Sequence, residues 1–154
     1  MITLKAPLEI GLCVCAPEMM IGFYRDVLGF ELISDLKVSL EKSRPTGFTK
    51  DGYRIIRFQT NHGERIELVH PYSIPKKRTF EEEVLSHRGN VFMTFIVEDL
   101  KSTLKKIRSK VTIFRTEGEI VEVRKGVYLS IIDDPEGNHI ELVEYLNLEE
   151  KKIY

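Results

Sequence analysis

Three glutamates of this chain stand on stretches that are otherwise apolar. Glu9 lies in Leu8-Glu9-Ile10-Gly11-Leu12-Cys13-Val14, Glu67 between Ile66 and Leu68, and Glu141 between Ile140 and Leu142. A carboxylate that breaks an apolar strand is more informative than one on a polar strand, because acids are rarely taken out of water without a partner. Such a group can act as a general acid or base, or can ligate a hard cation. Taken singly, each is most simply a solvated acid with no task. Cys13 shares the Glu9 face and offers a thiol, although no neighbour in sequence favours its thiolate. His139 lies two residues before Glu141 on the same strand face, roughly 7 Å along the strand. That is borderline reach, and a satisfied or solvent-facing imidazole is the simpler reading. His70 falls on the face opposite Glu67, His62 in a turn, and His87 near a helix end, where it could interact with the helix dipole.

Alternation and turn signals define the elements that must position these groups. Residues 8–14 read as a strand, with Glu9, Gly11 and Cys13 on one face and Ile10, Leu12 and Val14 on the other. Pro17 opens a helix with Met20, Phe23, Tyr24, Val27 and Leu28 as its apolar stripe, closed by Gly29. Strands follow at about 31–38, 53–59 and 65–70, with a polar loop at 39–52 and the turn Asn61-His62-Gly63-Glu64. A Pro/Lys-rich stretch and a connector helix at about 79–88, with Thr79 and Glu82 as a capping box, lead to a second series. There Val91–Val97 is a strand, and Asp99 caps a helix carrying Leu100, Leu104 and Ile107. Strands are expected at about 111–115, 119–124, 127–133 and 139–145. The turn Asp134-Pro135-Glu136-Gly137-Asn138 delivers Glu141 onto the last strand. The order strand-helix-strands thus occurs twice, a repeat of architecture more than of sequence.

Composition limits the classes of function. The chain has 154 residues, enough for one domain of ordinary size with a single sizeable core. Basic and acidic residues balance at 23 and 24 and are spread along the chain, so no nucleic-acid footprint is expected. The charge run Lys105, Lys106, Arg108, Lys110 reads as a solvated helix face. Apolar runs are too short for a membrane span, and Met1 to Pro7 lacks the pattern of a signal peptide. Cys13 and Cys15, two apart on one strand, are expected to be buried and reduced. A cytoplasmic setting follows as the expectation.

Three segments together resemble the vicinal oxygen chelate superfamily, which includes glyoxalase I, bleomycin-resistance proteins and extradiol dioxygenases. They are Phe23-Tyr24-Arg25-Asp26-Val27-Leu28-Gly29-Phe30, Val97-Glu98-Asp99-Leu100, and Asp134 to Asn138 before the last strand. The resemblance spans about residues 7–145. It implies an α+β fold of two βαβββ modules, at about 7–72 and 90–146, whose mixed sheets curl around a shared cleft. It also implies a homodimer and a small-molecule ligand. In metal-bearing members the first and last strand of each module each supply one ligand. Carried over position by position, these places hold Glu9, Glu67, Phe92 and Glu141. Glyoxalase I-like enzymes place His at the third, and Phe92 has no donor atom.

Three carboxylates converging on one cleft cannot all stay charged unaided, because like charges raise one another's pKa. The site needs a cation, an arginine such as Arg54 or Arg57, or a retained proton. All-oxygen ligation by Glu9, Glu67 and Glu141 favours Mg²⁺, Mn²⁺ or Ca²⁺ over Zn²⁺ or Ni²⁺. Two readings stand close together. One is a glyoxalase-like lyase or isomerase, in which a bound cation polarises a substrate oxygen and Glu67 or Glu141 acts as the base. The other is a metal-free binding or sequestration protein of the bleomycin-resistance type, with Phe92, and Cys13 beside it in the cleft, lining the pocket. Plain core packing explains Phe92 equally well. An extradiol dioxygenase, needing two His and one Glu around iron, is poorly served.

Overall fold

A computed structural model describes residues 5–76, 85, 88–111 and 119–147. The chain divides into two compact units, Met1–Arg78 and Thr79–Tyr154. In the first, strand β1 (Glu9–Cys13) precedes helix α1 (Pro17–Ile21), which continues as a π-wound segment over Gly22–Val27. Strands β2 (Glu31–Val38), β3 (Tyr53–Gln59) and β4 (Arg65–Pro71) complete it. In the second, β5 (Phe92–Ile96) precedes helix α3 (Leu100–Lys110), followed by β6 (Val121–Arg124), β7 (Val127–Asp133) and β8 (His139–Tyr145). The short helix α2 (Leu40–Ser43) lies between β2 and β3.

Each unit builds the same four-stranded sheet. The strand order is β1-β4-β3-β2 in the first and β5-β8-β7-β6 in the second. In both, the opening strand runs parallel to the closing one, while the other neighbours are antiparallel. A parallel pair needs a long crossover, and the helix supplies it. The expected βαβββ repeat is therefore present twice.

Burial follows the alternation. In the first unit Val14, Ile56, Phe58, Ile66 and Leu68 are buried together with Met20, Phe23 and Tyr24 of the helical segment. Tyr24 anchors this layer, with ring centroids 5.3 Å from Phe23, 6.0 Å from Phe30 and 6.1 Å from Phe58. A π turn advances fewer degrees per residue than an α turn, which lets two consecutive aromatics face the sheet. The segment ends where Phe30 N–H donates to the Tyr24 carbonyl at 2.9 Å, around Gly29 in the left-handed region. In the second unit Leu100, Leu104 and Ile107 are buried, as are Met93, Ile132, Ile140 and Leu142 on the strands. Asp99 caps α3 as expected, its carboxylate accepting from Ser102 N–H at 2.8 Å.

Two expectations are corrected. Cys13 and Cys15 are exposed, not buried. They flank the fully buried Val14, so alternation turns both away from the aromatic layer. The loop at 39–52 is not plain loop: it winds into α2 and a 3₁₀ turn at Arg44–Thr46. Ser43 is wholly buried there and donates its hydroxyl to the Thr49 carbonyl at 2.9 Å. The connector helix at 79–88 falls almost wholly outside the described residues, as do most of the strand expected at 111–115 and the tail from 148. No helix among the described residues is long and apolar enough to cross a membrane.

Candidate functional site

In the first unit the sheet face away from the aromatic layer is polar in two of its rows, before an apolar row of Cys13, Val69, Ile55 and Leu36, and these rows can be read across the strands. One row is Glu9, Arg65 and Gln59; the next is Gly11, Glu67, Arg57 and Ser34. Directly opposed residues share a face, so register alone brings Glu9 and Glu67 together with two arginines. Arg65 donates through Nε to Gln59 Oε1 at 2.8 Å and through Nη1 to Glu9 Oε1 at 2.9 Å. Arg57 donates through Nε to Glu67 Oε1 at 2.5 Å, and the same nitrogen lies 3.7 Å from Glu9 Oε2. The Arg57 head group therefore leans across β4 toward β1 and serves both acids.

The electrostatics follow from this contact set. The hydrogen bond from Arg65, and then one shared with Glu67, hold the Glu9 carboxyl below the usual carboxylate range. Arg54, the other arginine considered as a neutraliser, points to the opposite face. It grips Asp35 through Nε and Nη2 at 2.8 and 2.7 Å and Glu18 of α1 through Nη1 at 2.5 Å. This fork pushes the Arg54 pKa up and the Asp35 pKa down, and pins the helix to β2 and β3. His70 is likewise on that face, its Nδ1 3.0 Å from the Val14 carbonyl. Ser34 Oγ, opposite Arg57, is covered yet has no hydrogen-bond partner among the described residues.

The second unit repeats the register with other residues. Its rows are Phe92, His139 and Asp133, then Thr94, Glu141 and Ile131. Phe92 thus holds the place of Glu9, and Glu141 that of Glu67. Thr94 Oγ1 donates to Glu141 Oε2 at 2.6 Å. Phe92 is 42% exposed, which favours a contact surface over core packing. His139 is buried, and its Nδ1 lies 2.6 Å from Asp133 Oδ1. It is a partnered imidazole. The turn that leads into β8 is organised by Asp134. Its Oδ1 accepts from the N–H groups of Glu136 and Asn138, both at 2.9 Å, and its Oδ2 accepts from Asn138 Nδ2 at 2.8 Å. Glu144, a second acid of β8, accepts from Leu100 N–H at 2.7 Å and so caps α3. Sequence patterning places Gly11 on the Glu9 face but misses Arg65, Gln59 and Thr94. Only cross-strand register could have identified them.

A family model described as the Glyoxalase/Bleomycin resistance protein/Dioxygenase superfamily matches residues 7–142. The chain belongs to this superfamily. No curated protein matches the sequence. Among solved structures, a glyoxalase family protein from Bacillus cereus is 23% identical, with a TM-score of 0.79 over 94% of this chain and 97% of that one. The trypanothione-dependent glyoxalase I of Leishmania major is 19% identical, with a TM-score of 0.65 over 97% and 94%. An antibiotic-binding protein from a Streptomyces species is 12% identical, with a TM-score of 0.58 over 94% and 99%. At these identities the likeness concerns the fold.

Superfamily membership raises the question of a metal, and the donor set answers it locally. Glu67 and Glu9 each accept a hydrogen bond from a guanidinium group, so the charge of the pair is balanced by Arg57 and Arg65. Among the described residues no three His, Cys, Asp or Glu side chains are grouped to hold an ion. Taken by itself, the charge-balanced pair of Glu9 and Glu67 offers a cation little net charge.

Proposed function

We propose that this chain is a metal-free small-molecule-binding member of the glyoxalase/bleomycin-resistance superfamily, with a sequestering role of the bleomycin-resistance type. One observation carries the reading: Arg57 places its guanidinium between Glu67 and Glu9, where a metalloenzyme would need a cation. Phe92 adds support, because an exposed aromatic at a position equivalent to Glu9 suits stacking on a planar ligand. That an antibiotic-binding protein shares the fold is consistent with this role. In the same reading the protein acts as a cytoplasmic homodimer, and light scattering on the purified chain tests the dimer.

The test is metal content of protein purified without chelators, followed by titration with Mg²⁺, Mn²⁺, Ca²⁺, Ni²⁺ and Zn²⁺. No micromolar binding is expected. Stoichiometric metal, or a micromolar site lost in Glu67→Gln, would sink the proposal. A second reading, the metal-assisted lyase or isomerase with Glu9, Glu67 and Glu141 as ligands, draws on the meeting of Glu9 and Glu67 on one sheet face. A methylglyoxal–glutathione assay probes its narrowest form, and no turnover is expected.

A further inference from the structure

Gly11 has no local reason to be glycine. Its backbone is not in the left-handed region, and strand interiors disfavour glycine in energy and entropy. Nor is it squeezed: a Cβ at this position would meet no heavy atom within 4 Å. A glycine of this kind inside a strand marks a place where something outside the sheet comes close to the backbone. The open space lies directly opposite Glu67, and Glu67 lies directly opposite Arg57.

Arg57 supplies the second, independent observation. Its Nε edge is spent on Glu67 and Glu9, while no described residue accepts from Nη1 or Nη2. The same holds for Nη2 of Arg65, whose other nitrogens serve Gln59 and Glu9. A guanidinium fixed along one edge is oriented without being saturated, and its remaining donors form a planar fork. Its lean across β4 aims the head group toward β1, where the gap is. Guanidinium nitrogens only donate, so a group that docks on the Nη edge of Arg57 meets donors. A partner must bring acceptors.

We propose that the space over Gly11 receives a carboxylate carried by a small organic molecule, held bidentately by the Nη edge of Arg57. Glu67 and Glu9 act as positioning residues that hold the guanidinium; they do not touch the ligand. This rests on the metal-free reading above and adds the chemical class of its ligand. Planar fork-to-carboxylate pairing supplies direction as well as charge, and lysine cannot reproduce it.

The experiment is an NMR titration of the full chain with sodium benzoate, and with benzamide as the neutral isostere, at constant ionic strength. The Arg57 Nε–H signal and the Gly11 amide are expected to shift saturably with benzoate and not with benzamide. Arg57→Lys, which keeps the charge and loses the fork, is expected to weaken binding roughly tenfold. Gly11→Val fills the gap with a residue the strand prefers, so it should melt no lower than the natural protein and yet fail to bind. Its thermal stability guards against a merely unfolded variant. Equal response to benzamide, unchanged binding by Gly11→Val, or no saturable shift at either position would overturn the inference. The metal titration remains a separate readout. Benzoate failing while no metal binds removes the ligand assignment alone, whereas a micromolar metal site removes the metal-free reading itself.

Discussion

Replacing Arg57 by methionine removes the cation that holds Glu9 and Glu67 together while keeping much of the side chain's apolar stem. The lost contact is a charge-assisted hydrogen bond of 2.5 Å between side chains 30% and 19% exposed. At an effective dielectric near 20, two charges about 4 Å apart attract by about 4 kcal/mol before desolvation is counted. Net values for hydrogen bonds to charged groups are smaller, about 1.5–3 kcal/mol. We expect Arg57→Met to lose about 2 kcal/mol, which for a domain of this size is a fall of about 4–8 °C in melting temperature. On the proposed metal-free reading, the variant should also acquire an affinity for metal ions. Glu67 then lacks a guanidinium and Glu9 keeps only Arg65, which leaves a net negative pair to draw a hard cation, and Ca²⁺ or Mg²⁺ at a hundredfold excess over its dissociation constant restores about 2.7 kcal/mol. Thermal melting with and without each ion reads both effects. A variant that melts with the natural protein, or a natural protein that gains as much from the ions, would refute the idea that Arg57 stands in for a metal.

Three further outcomes are expected. Gly137 turns the chain in the left-handed region, at φ 86°, beneath the Asp134 hydrogen bonds, so Gly137→Ala should cost about 1–2 kcal/mol in urea unfolding. His139→Leu strands the buried Asp133 carboxylate, whose Oδ2 already lacks a partner, and should cost about 3 kcal/mol, with Asp133→Asn restoring part of it in the double variant. Acid titration should show the carboxylates held down by arginines: Glu9 and Asp35 have folded pKa values below their ordinary 4.5 and 3.8, so their contribution is full above those values and is lost as pH falls through the lower folded ones. Glu9→Gln should flatten the slope of stability against pH below about 4.5.

Much of this fold is legible because its signals are local. The alternation at 53–59 and 139–145 matches β3 and β8 at both ends, and Asp99 announces α3 three residues before the N–H it caps. Helix α2 escaped notice because four residues carry no periodicity. Residue-type preference misplaces Cys13 and Cys15, although alternation around the buried Val14 turns both away from the aromatic layer. The site was legible only in halves. Glu9, Glu67 and Glu141 stand out on apolar strands, but their partners depend on the parallel pairing of β1 with β4. That pairing joins residues 56 positions apart, as between Arg65 and Glu9, and no local pattern encodes it.

The two units show how one register supports different chemistry. Residue for residue, the row Gly11, Glu67, Arg57 corresponds to Thr94, Glu141, Ile131, and the row Glu9, Arg65, Gln59 to Phe92, His139, Asp133. Each closing strand keeps its glutamate, and what differs is the residue set against it. In the first unit β3 supplies a guanidinium, so the acid is tied into a charge-balanced ladder. In the second β7 supplies isoleucine, and the acid takes a hydroxyl from β5 instead. A retained carboxylate is therefore weak evidence for a retained metal, since the role of an acid is decided by its cross-strand neighbour. Swapping that neighbour is the direct test: Ile131→Arg should tie Glu141 into an ion pair of the kind Glu67 already has. The expected signature is a coupling of about 0.5 kcal/mol or more between the two side chains, read in a double-mutant cycle of Ile131→Arg with Glu141→Gln. Additive effects of the two substitutions would show that register alone does not transfer the chemistry.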